Sequence, residues 1–146
     1  MLTLPGGAQF ALGRARFADE LPSGQEQTAK IYVKLEAQAL GGRIVAQLDT
    51  GSAWSVLHAE VAEAMNLLDG RGEIVTLRTR FGSFEGRLER IPLTIVADEG
   101  ASLDIDATVW VSRDWPAGNF IGYAGLLERV RFAVDPGTNN FYFGPT

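Results

Sequence analysis

The chain has 146 residues, 46 % of them hydrophobic and 21 % charged, which is typical of one globular domain. It has no cysteine and one histidine. This excludes disulfides, thiolate metal sites and a cysteine nucleophile, and disfavours a histidine-rich zinc site within one chain. The net charge of −5 argues against a nucleic-acid partner, and we expect neither a metal ion nor another cofactor.

The first part of the chain, residues 1–27, has Gly, Pro and mixed polar residues without a sustained period. We predict an N-terminal arm there, with one short strand around residues 9–12, followed by a folded domain over residues 28–146. Regular alternation begins at Lys30, where Ile31, Val33 and Leu35 alternate with polar or amphipathic residues. This pattern indicates a half-buried strand.

The next elements follow from turn signals and hydrophobic period. Gly41-Gly42 predicts a hairpin whose return strand, residues 43–48, runs into Asp49-Thr50-Gly51-Ser52. A short apolar strand is predicted at 54–57 and a helix at 58–68, where apolar residues recur at helical spacing. A long hairpin is predicted from strands 73–81 and 87–97 around a turn at 82–86.

The remaining chain also predicts strands. They are expected at 103–111, in the brief apolar run Phe120-Ile121-Gly122, and at 131–134 and 140–143 around a turn at 135–137. Residues 114–119 are predicted to form a loop, and residues 124–129 a helical turn or two. Frequent turns in a short chain, together with period-two strands, indicate an all-β single lobe with one or two short helices.

Four of these features occur in a fixed order: an apolar strand ending in Asp49-Thr50-Gly51, a second apolar strand, the long hairpin, and Phe120-Ile121-Gly122 followed by a short helical piece and a final strand. This order resembles the retropepsin-like aspartic proteases, whose retroviral members are homodimers with one catalytic Asp per chain. The resemblance covers residues 29–144. It implies a single-lobe acid-protease fold, namely a closed barrel with a flap hairpin.

The chemistry of such a site explains these residue types. Without a metal or a covalent nucleophile, peptide hydrolysis needs an activated water, and paired carboxyls can supply both the base and the acid. Like charges in contact cannot both ionise, so the pair shares one proton and favours acidic pH. The chain has a single Asp-Thr-Gly, so a two-fold homodimer has to supply the second carboxyl. We therefore expect an aspartic endopeptidase acting on peptide or protein substrates.

The resemblance implies individual roles. Asp49 is the catalytic carboxylate, Thr50 bonds across the axis to the partner backbone, Gly51 fits the tight space near the axis, and Ser52 steadies the outer carboxylate oxygen. Ile121 and Gly122 pack behind this loop, and the last strand, 140–144, joins the dimer's terminal sheet. The expected substrate-binding residues are Trp54 and the flap tip, formed by Phe81, Gly82, Ser83, Phe84, Glu85 and Gly86.

One departure concerns the residues after Gly122. Viral chains have two residues there, the second usually Asn or Asp, before an apolar pair. This chain has three residues, Tyr123-Ala124-Gly125, before Leu126-Leu127. It is therefore more similar to cellular and bacterial relatives than to viral ones.

Other interpretations remain open. The same fold could serve as a catalytically silent dimeric domain for peptide binding or scaffolding. The spacing Asp104-x-Asp106-x-Thr108 resembles the nucleophile motif of haloacid-dehalogenase-like phosphotransferases, although the surrounding pattern predicts a strand with both carboxylates on its solvent face. His58 could serve as a base for Ser52 or Ser55, but a polar residue at a helix start is the preferred interpretation.

Three further expectations concern the surface and the location of the chain. Arg78, Arg80, Arg87 and Arg90 are interpreted as the solvated face of the hairpin. No window is apolar enough to span a membrane, and the N-terminus lacks the pattern of a signal peptide, which with the lack of cysteine favours a cytoplasmic location. The arm contains Leu21-Pro22-Ser23-Gly24, which we consider a candidate for autocatalytic removal.

Overall fold

The computed structural model describes residues 1–20 and 27–146, so the candidate cleavage segment Leu21-Pro22-Ser23-Gly24 lies outside the described residues. Within them the regular structure is mostly β-strand with one short α-helix, and the predicted all-β class is confirmed. Two 3-10 turns lie at Gln38–Leu40 and Leu127–Arg129. The elements are β1 (Gly13–Arg16), β2 (Ala18–Glu20), β3 (Gln27–Ala37), β4 (Gly42–Leu48), β5 (Ser55–Val56), α1 (Ala59–Ala64), β6 (Ile74–Thr79), β7 (Gly82–Ile95), β8 (Glu99–Gly100), β9 (Leu103–Val111), β10 (Asn119–Ile121), β11 (Val130–Asp135) and β12 (Asn140–Pro145).

The larger of two sheets has the order β2-β3-β4-β10-β5-β9-β7-β6, and β3 also pairs with β7. The strands from β3 to β7 in this order therefore form a ring of pairings. The closed barrel implied by the resemblance stays a prediction. Most neighbours are antiparallel, but β10 runs parallel to β4, and β5 runs parallel to β9.

The alternation that predicted β3 and β4 places their apolar side chains inside the ring. Val33, Leu35, Ile44 and Ala46 are buried there, and burying a side chain of the size of Val or Leu contributes about 1.5–3 kcal/mol. The connection needs a left-handed residue, and Gly41 supplies it with a φ of 65°. These strands form as the sequence predicts.

The smaller sheet has the order β11-β12-β1-β8 and corrects one expectation. The strand predicted at residues 9–12 lies instead at β1. Its buried residues, Gly13 and Ala15, are small and alternate with Arg14 and Arg16, so the apolar signal was weak. In addition, β12 pairs with β11 on one side and β1 on the other. Both edges of β12 are therefore taken within the chain, and the prediction that this strand joins the terminal sheet of a dimer stays a prediction.

The helix is shorter than its period suggested, because α1 ends at Ala64 rather than at residue 68. Asn66 adopts a left-handed conformation, with a φ of 57°, which stops a right-handed helix. His58 is the N-cap, and its Nδ1 accepts a hydrogen bond from the backbone N–H of Glu60 at 3.1 Å. The interpretation of His58 as a helix-start residue is thus confirmed.

The long hairpin of β6 and β7 is present, but its predicted turn was wrong. Thr79 pairs with Gly82, so the turn is Arg80-Phe81 and residues 82–86 belong to β7. The Thr79 hydroxyl closes the turn by accepting from the Phe81 N–H at 3.0 Å. Gly86 suggested a turn, but a glycine is needed there for close packing, because a Cβ would overlap the ring of Trp110.

A second apolar cluster lies beside the main core and is centred on the buried residues Val56, Trp110 and Trp115. Trp115 is its hub, because its ring makes edge-to-face contacts with several aromatic rings from different elements. The centroid distances are 6.3 Å to Phe81, 5.6 Å to Phe84, 5.9 Å to Trp110 and 6.1 Å to Phe120. The hairpin, β9 and β10 thus meet at one side chain.

Replacing this hub tests its importance for stability. We expect Trp115→Ala to lower the free energy of unfolding by about 3–5 kcal/mol, because it leaves a large cavity between separate elements. Tyr123→Ala is the matched control: the Tyr123 side chain is 54 % exposed, so the change should stay within about 0.5 kcal/mol. Urea unfolding measures both. Equal stability of the two variants would contradict the role of Trp115.

The turn between β11 and β12 predicts a pH dependence. The Thr138 hydroxyl and the Gly137 N–H donate to the Asp135 carboxylate and lower its pKa below the ordinary 3.8. A carboxylate whose pKa is lower in the folded state than in the unfolded state stabilises the fold at pH values above its unfolded-state pKa. This contribution disappears as the pH falls through the folded-state pKa. Wild type should therefore be more stable than Asp135→Asn at neutral pH, with the difference shrinking below about pH 4. A constant difference in thermal unfolding down to pH 2 would contradict this.

Candidate active site

The loop that follows β4 is held by backbone hydrogen bonds. The Asp49 N–H donates to the Ile121 carbonyl at 3.0 Å, which continues the parallel pairing of β4 with β10, and the Ser52 N–H donates to the Asp49 carbonyl at 3.1 Å. The Gly51 N–H donates to Asp49 Oδ1 at 3.0 Å. The carboxylate is half-buried, whereas Thr50 and Gly51 are exposed. The loop thus holds one carboxylate at the surface of the chain.

The segment after β10 supports this loop from behind. The Tyr123 N–H donates to the Ser52 carbonyl at 2.9 Å, and the Ala124 N–H to the Ala53 carbonyl at 2.8 Å. The Gly122 N–H donates to the buried Ser55 hydroxyl at 2.9 Å. A side chain at Gly122 would overlap the backbone of Trp54, so glycine is needed for this close approach.

Ser55 is the residue whose role the sequence did not reveal. It is 2 % exposed, and its hydroxyl is the acceptor that ties Gly122 to β5. The sequence offered only one signal, a small polar residue inside an apolar strand. Among the described residues no hydrogen bond joins the His58 and Ser55 side chains: His58 Nδ1 accepts from the Glu60 N–H, and the Ser55 hydroxyl accepts from the Gly122 N–H.

The hydroxyls of Thr50 and Ser52, on either side of Gly51, differ in their hydrogen bonding. The Ser52 hydroxyl donates to the Trp54 carbonyl at 2.8 Å, not to the Asp49 carboxylate as expected. A hydroxyl can donate one hydrogen bond, and the Ser52 hydroxyl donates it to the Trp54 carbonyl. The Thr50 hydroxyl has no hydrogen-bond partner among residues 1–20 and 27–146.

The predicted substrate-binding residues lie at varied depths. Trp54 is half-buried against the cluster of Val56, Trp110 and Trp115, and Phe84 packs into the same cluster. Phe81 is 54 % exposed at the tip of the hairpin and contacts Trp115. Gly82, Ser83 and Glu85 are exposed on β7, while Gly86 is buried. The hairpin is thereby linked to the Asp49 loop through Trp115, Phe120 and β10.

The structure does not favour the competing site at Asp104 and Asp106. Both residues are exposed on β9, which runs antiparallel to β7, as the solvent-face interpretation predicted. The Thr94 hydroxyl donates to Asp104 Oδ1 at 2.6 Å, and Arg90 forms an ion pair with Asp106. These carboxylates thus take part in cross-strand pairs.

Features of other kinds of site were also sought in the described part of the chain. It holds no group of three or more His, Cys, Asp or Glu side chains arranged to bind a metal. None of its helices has the length and apolar character needed to cross a membrane. Of the hairpin arginines, Arg78, Arg80 and Arg90 are exposed, and Arg87 donates to the Gly72 carbonyl at 2.9 Å.

The grooves of the described surface include three shallow ones, and Asp49 lines none of these three. One of about 200 Å³ lies beside Glu85, Arg87 and Arg113 at the side of the hairpin. The others, of about 300 and 230 Å³, are lined by residues that include Arg90 and Arg14 respectively. The Asp49 loop lies outside these grooves, with its apex exposed.

The contact between Gly122 and β5 predicts a large effect from one methyl group. We expect Gly122→Ala to lower the free energy of unfolding by about 1–3 kcal/mol, because the added Cβ must push β5 and β10 apart. Gly118→Ala is the matched control, since nothing lies within 4 Å of a Cβ there, and its effect should stay within about 0.5 kcal/mol. Similar urea midpoints for the two variants would show that Gly122 is not tightly packed.

Comparison with known proteins adds no assignment. No protein-family model matches the sequence, and none of the curated proteins compared with it is significantly similar. Any function for this chain therefore has to be argued from its own residues.

Proposed function

We propose that the chain is an aspartic endopeptidase that becomes active as a homodimer, with Asp49 of each copy forming the catalytic pair. The observation that carries the proposal is the Asp49-Thr50-Gly51 loop, which is fixed by β10 from behind and presents a half-buried carboxylate at an exposed apex. A carboxylate held by backbone hydrogen bonds beside the exposed residues Thr50 and Gly51 fits one half of a shared site.

The reaction follows from two adjacent carboxyls. One is ionised and accepts a proton from a water molecule, while the other is protonated and donates a hydrogen bond to the scissile carbonyl oxygen. The water oxygen then attacks the carbonyl carbon, and the peptide nitrogen takes up a proton as the C–N bond breaks. Both carboxyls titrate as a unit, so activity belongs to the pair rather than to one residue.

Several features of the loop support a partner at this place. Gly51 has no side chain to keep a second backbone away, and the exposed Thr50 hydroxyl has no hydrogen-bond partner in the described chain. In a two-fold arrangement the same hydroxyl of each copy can donate to the other copy's backbone. Thr50 is therefore assigned a positioning role and Asp49 the catalytic one.

The hairpin supplies the second part of the proposal. Its tip carries Phe81, which is exposed and contacts Trp115. Its outer strand β6 pairs only with β7 among the described strands, so its other edge is free there. An extended peptide can add to such an edge through main-chain hydrogen bonds. A hairpin closing over the peptide also excludes water from the catalytic pair. Phe81, Gly82, Ser83, Phe84, Glu85, Gly86 and Trp54 remain the proposed substrate-binding residues.

The central test replaces the carboxylate. Purified wild type and Asp49→Asn are incubated with an unfolded protein substrate from acidic to neutral pH, and new peptides are counted by mass spectrometry. We expect cleavage by wild type with an acidic preference, and a loss of at least roughly a hundredfold in Asp49→Asn, because Asn cannot take the proton. Asp104→Asn, an exposed carboxylate on β9, should cut like wild type.

Each other result counts against part of the proposal. Equal cleavage by wild type and Asp49→Asn would assign the activity to another site or to a contaminant. If no protein cuts at any pH while unfolded peptides still bind, the chain is a silent peptide-binding domain. Loss in both Asp variants would indicate a general effect of charge rather than chemistry at Asp49.

A further inference from the structure

The free strand edges of the smaller sheet differ greatly in length. At one end β8 has 2 residues. At the other end β11 has 6 residues, and within the described chain its sole strand partner is β12. All six residues of β11 pair with β12 without a register shift, and the strand has neither proline nor glycine. A regular edge of this kind offers unpaired backbone groups to a further strand.

The strand that the resemblance suggests for dimer pairing is not available. Both sides of β12 are taken by β11 and β1, so its backbone groups are already used. In the larger sheet, the outer strand β6 belongs to the hairpin proposed to open and close. At the other edge of that sheet, β2 has 3 residues and an irregular register with β3. The edge of β11 is therefore the longest regular edge left among the described strands.

We propose that two copies of this chain pair through β11, antiparallel across a two-fold axis at Ala133. This inference rests on the proposed function, since an Asp49 pair needs a dimer. Residues directly opposite in an antiparallel pair must point to the same face. The symmetric registers are therefore centred on a residue, and centring on Ala133 places Arg131 opposite Asp135 of the second copy.

The charged side chains of β11 favour this register over the adjacent symmetric registers. Arg131 is exposed and forms no ion pair among residues 1–20 and 27–146. Two-fold symmetry gives the Arg131–Asp135 pair twice, once on each side of the axis. Centring on Val134 would place Asp135 opposite Ala133. Centring on Phe132 would place Arg131 opposite Ala133 and Asp135 opposite Arg129, which lies outside β11 in the 3-10 turn and donates to the Asp106 carbonyl. The register at Ala133 is thus the self-complementary one.

Side-chain size and packing agree with the same register. Ala133 at the axis is small, so its two copies can approach closely. On the inner face Phe132 lies opposite Val134 of the second copy, and both residues already pack against the main core. The pairing therefore joins the apolar layers of both copies into one layer, while the outer face keeps the charged pairs in contact with solvent.

The edge is connected to the Asp49 loop by a short bonded segment. The Leu127 N–H donates to the Gly122 carbonyl at 3.2 Å, and the Glu128 N–H donates to the Tyr123 carbonyl at 3.0 Å. This 3-10 turn leads directly into β11. Gly122 and Tyr123 in turn bond to Ser55 and Ser52. A chain of backbone hydrogen bonds therefore connects the segment that precedes β11 with the Asp49 loop.

A disulfide tests the axis without using activity. The chain has no cysteine, so Ala133→Cys introduces a single thiol. Opposite residues in antiparallel strands lie about 4.5–5.5 Å apart between Cα atoms, within the range of a disulfide. We expect Ala133→Cys to form a covalent dimer on mild oxidation, while Val45→Cys, exposed on β4, does not. Failure of Ala133→Cys to cross-link, or equal cross-linking of both, would overturn the proposal.

A charge reversal tests the register. Arg131→Glu faces Asp135 of the second copy twice, so we expect the dimer dissociation constant from sedimentation to rise about tenfold or more. Lys34→Glu makes the same change of charge on β3 and should leave the constant unchanged. Arg131→Lys should keep most of the affinity. A wild type that stays monomeric at all concentrations, or equal effects of Arg131→Glu and Lys34→Glu, would overturn the proposal.

The two proposals fail in different ways. If Asp49 is required for cleavage but Ala133→Cys does not cross-link, the protease stands and the β11 contact is wrong. If Ala133→Cys cross-links and Arg131→Glu weakens the dimer while no protein cuts, the contact stands and the catalytic proposal is wrong.

Discussion

The structure depends on the parallel contact between β4 and β10. Two chain segments that are far apart in sequence lie side by side there, and the Asp49 N–H bonds to the Ile121 carbonyl. On the other side of this segment, Gly122 lies against the backbone of Trp54, which is possible because it has no side chain. The Ser55 hydroxyl then satisfies the Gly122 N–H in a buried place, where an unpaired N–H would cost about 1–3 kcal/mol. The position of Asp49 follows from these backbone constraints.

A second constraint acts through packing. Trp115 holds the hairpin tip, β9 and β10 together by edge contacts between rings. Phe81 is exposed on one side, so its contact can be lost without opening the core, whereas Phe84 is packed more deeply. The hairpin can therefore be released at its tip and stay anchored at its base. An element of low local stability on a firm base is suited to open and close over a ligand.

Sequence reasoning succeeded where side-chain period carried the signal. The alternation of apolar and polar residues predicted the strands β3, β4 and β9, and the polar residue His58 predicted the start of α1. The sequence-based predictions failed where contacts of the backbone determine the local structure or the partner of a residue. Gly86 predicts the end of a turn, because the close approach of the Trp110 ring to this residue cannot be inferred from the sequence. The bond of Ser52 to the Trp54 carbonyl and the pairing of β1 with β12 likewise depend on neighbours distant in sequence or on local geometry.

The position of β1 between β12 and β8 has a consequence for the order of folding. Gly13 pairs with Phe143, so this contact closes a loop of nearly the whole described chain, which is an entropically costly and slow kind of step. During synthesis, β1 emerges early but lacks its β12 partner until residues 140–145 have left the ribosome. The smaller sheet is consequently completed last. The proposed pairing of two copies through this sheet would therefore follow the synthesis of β12, and so would the proposed Asp49 pair.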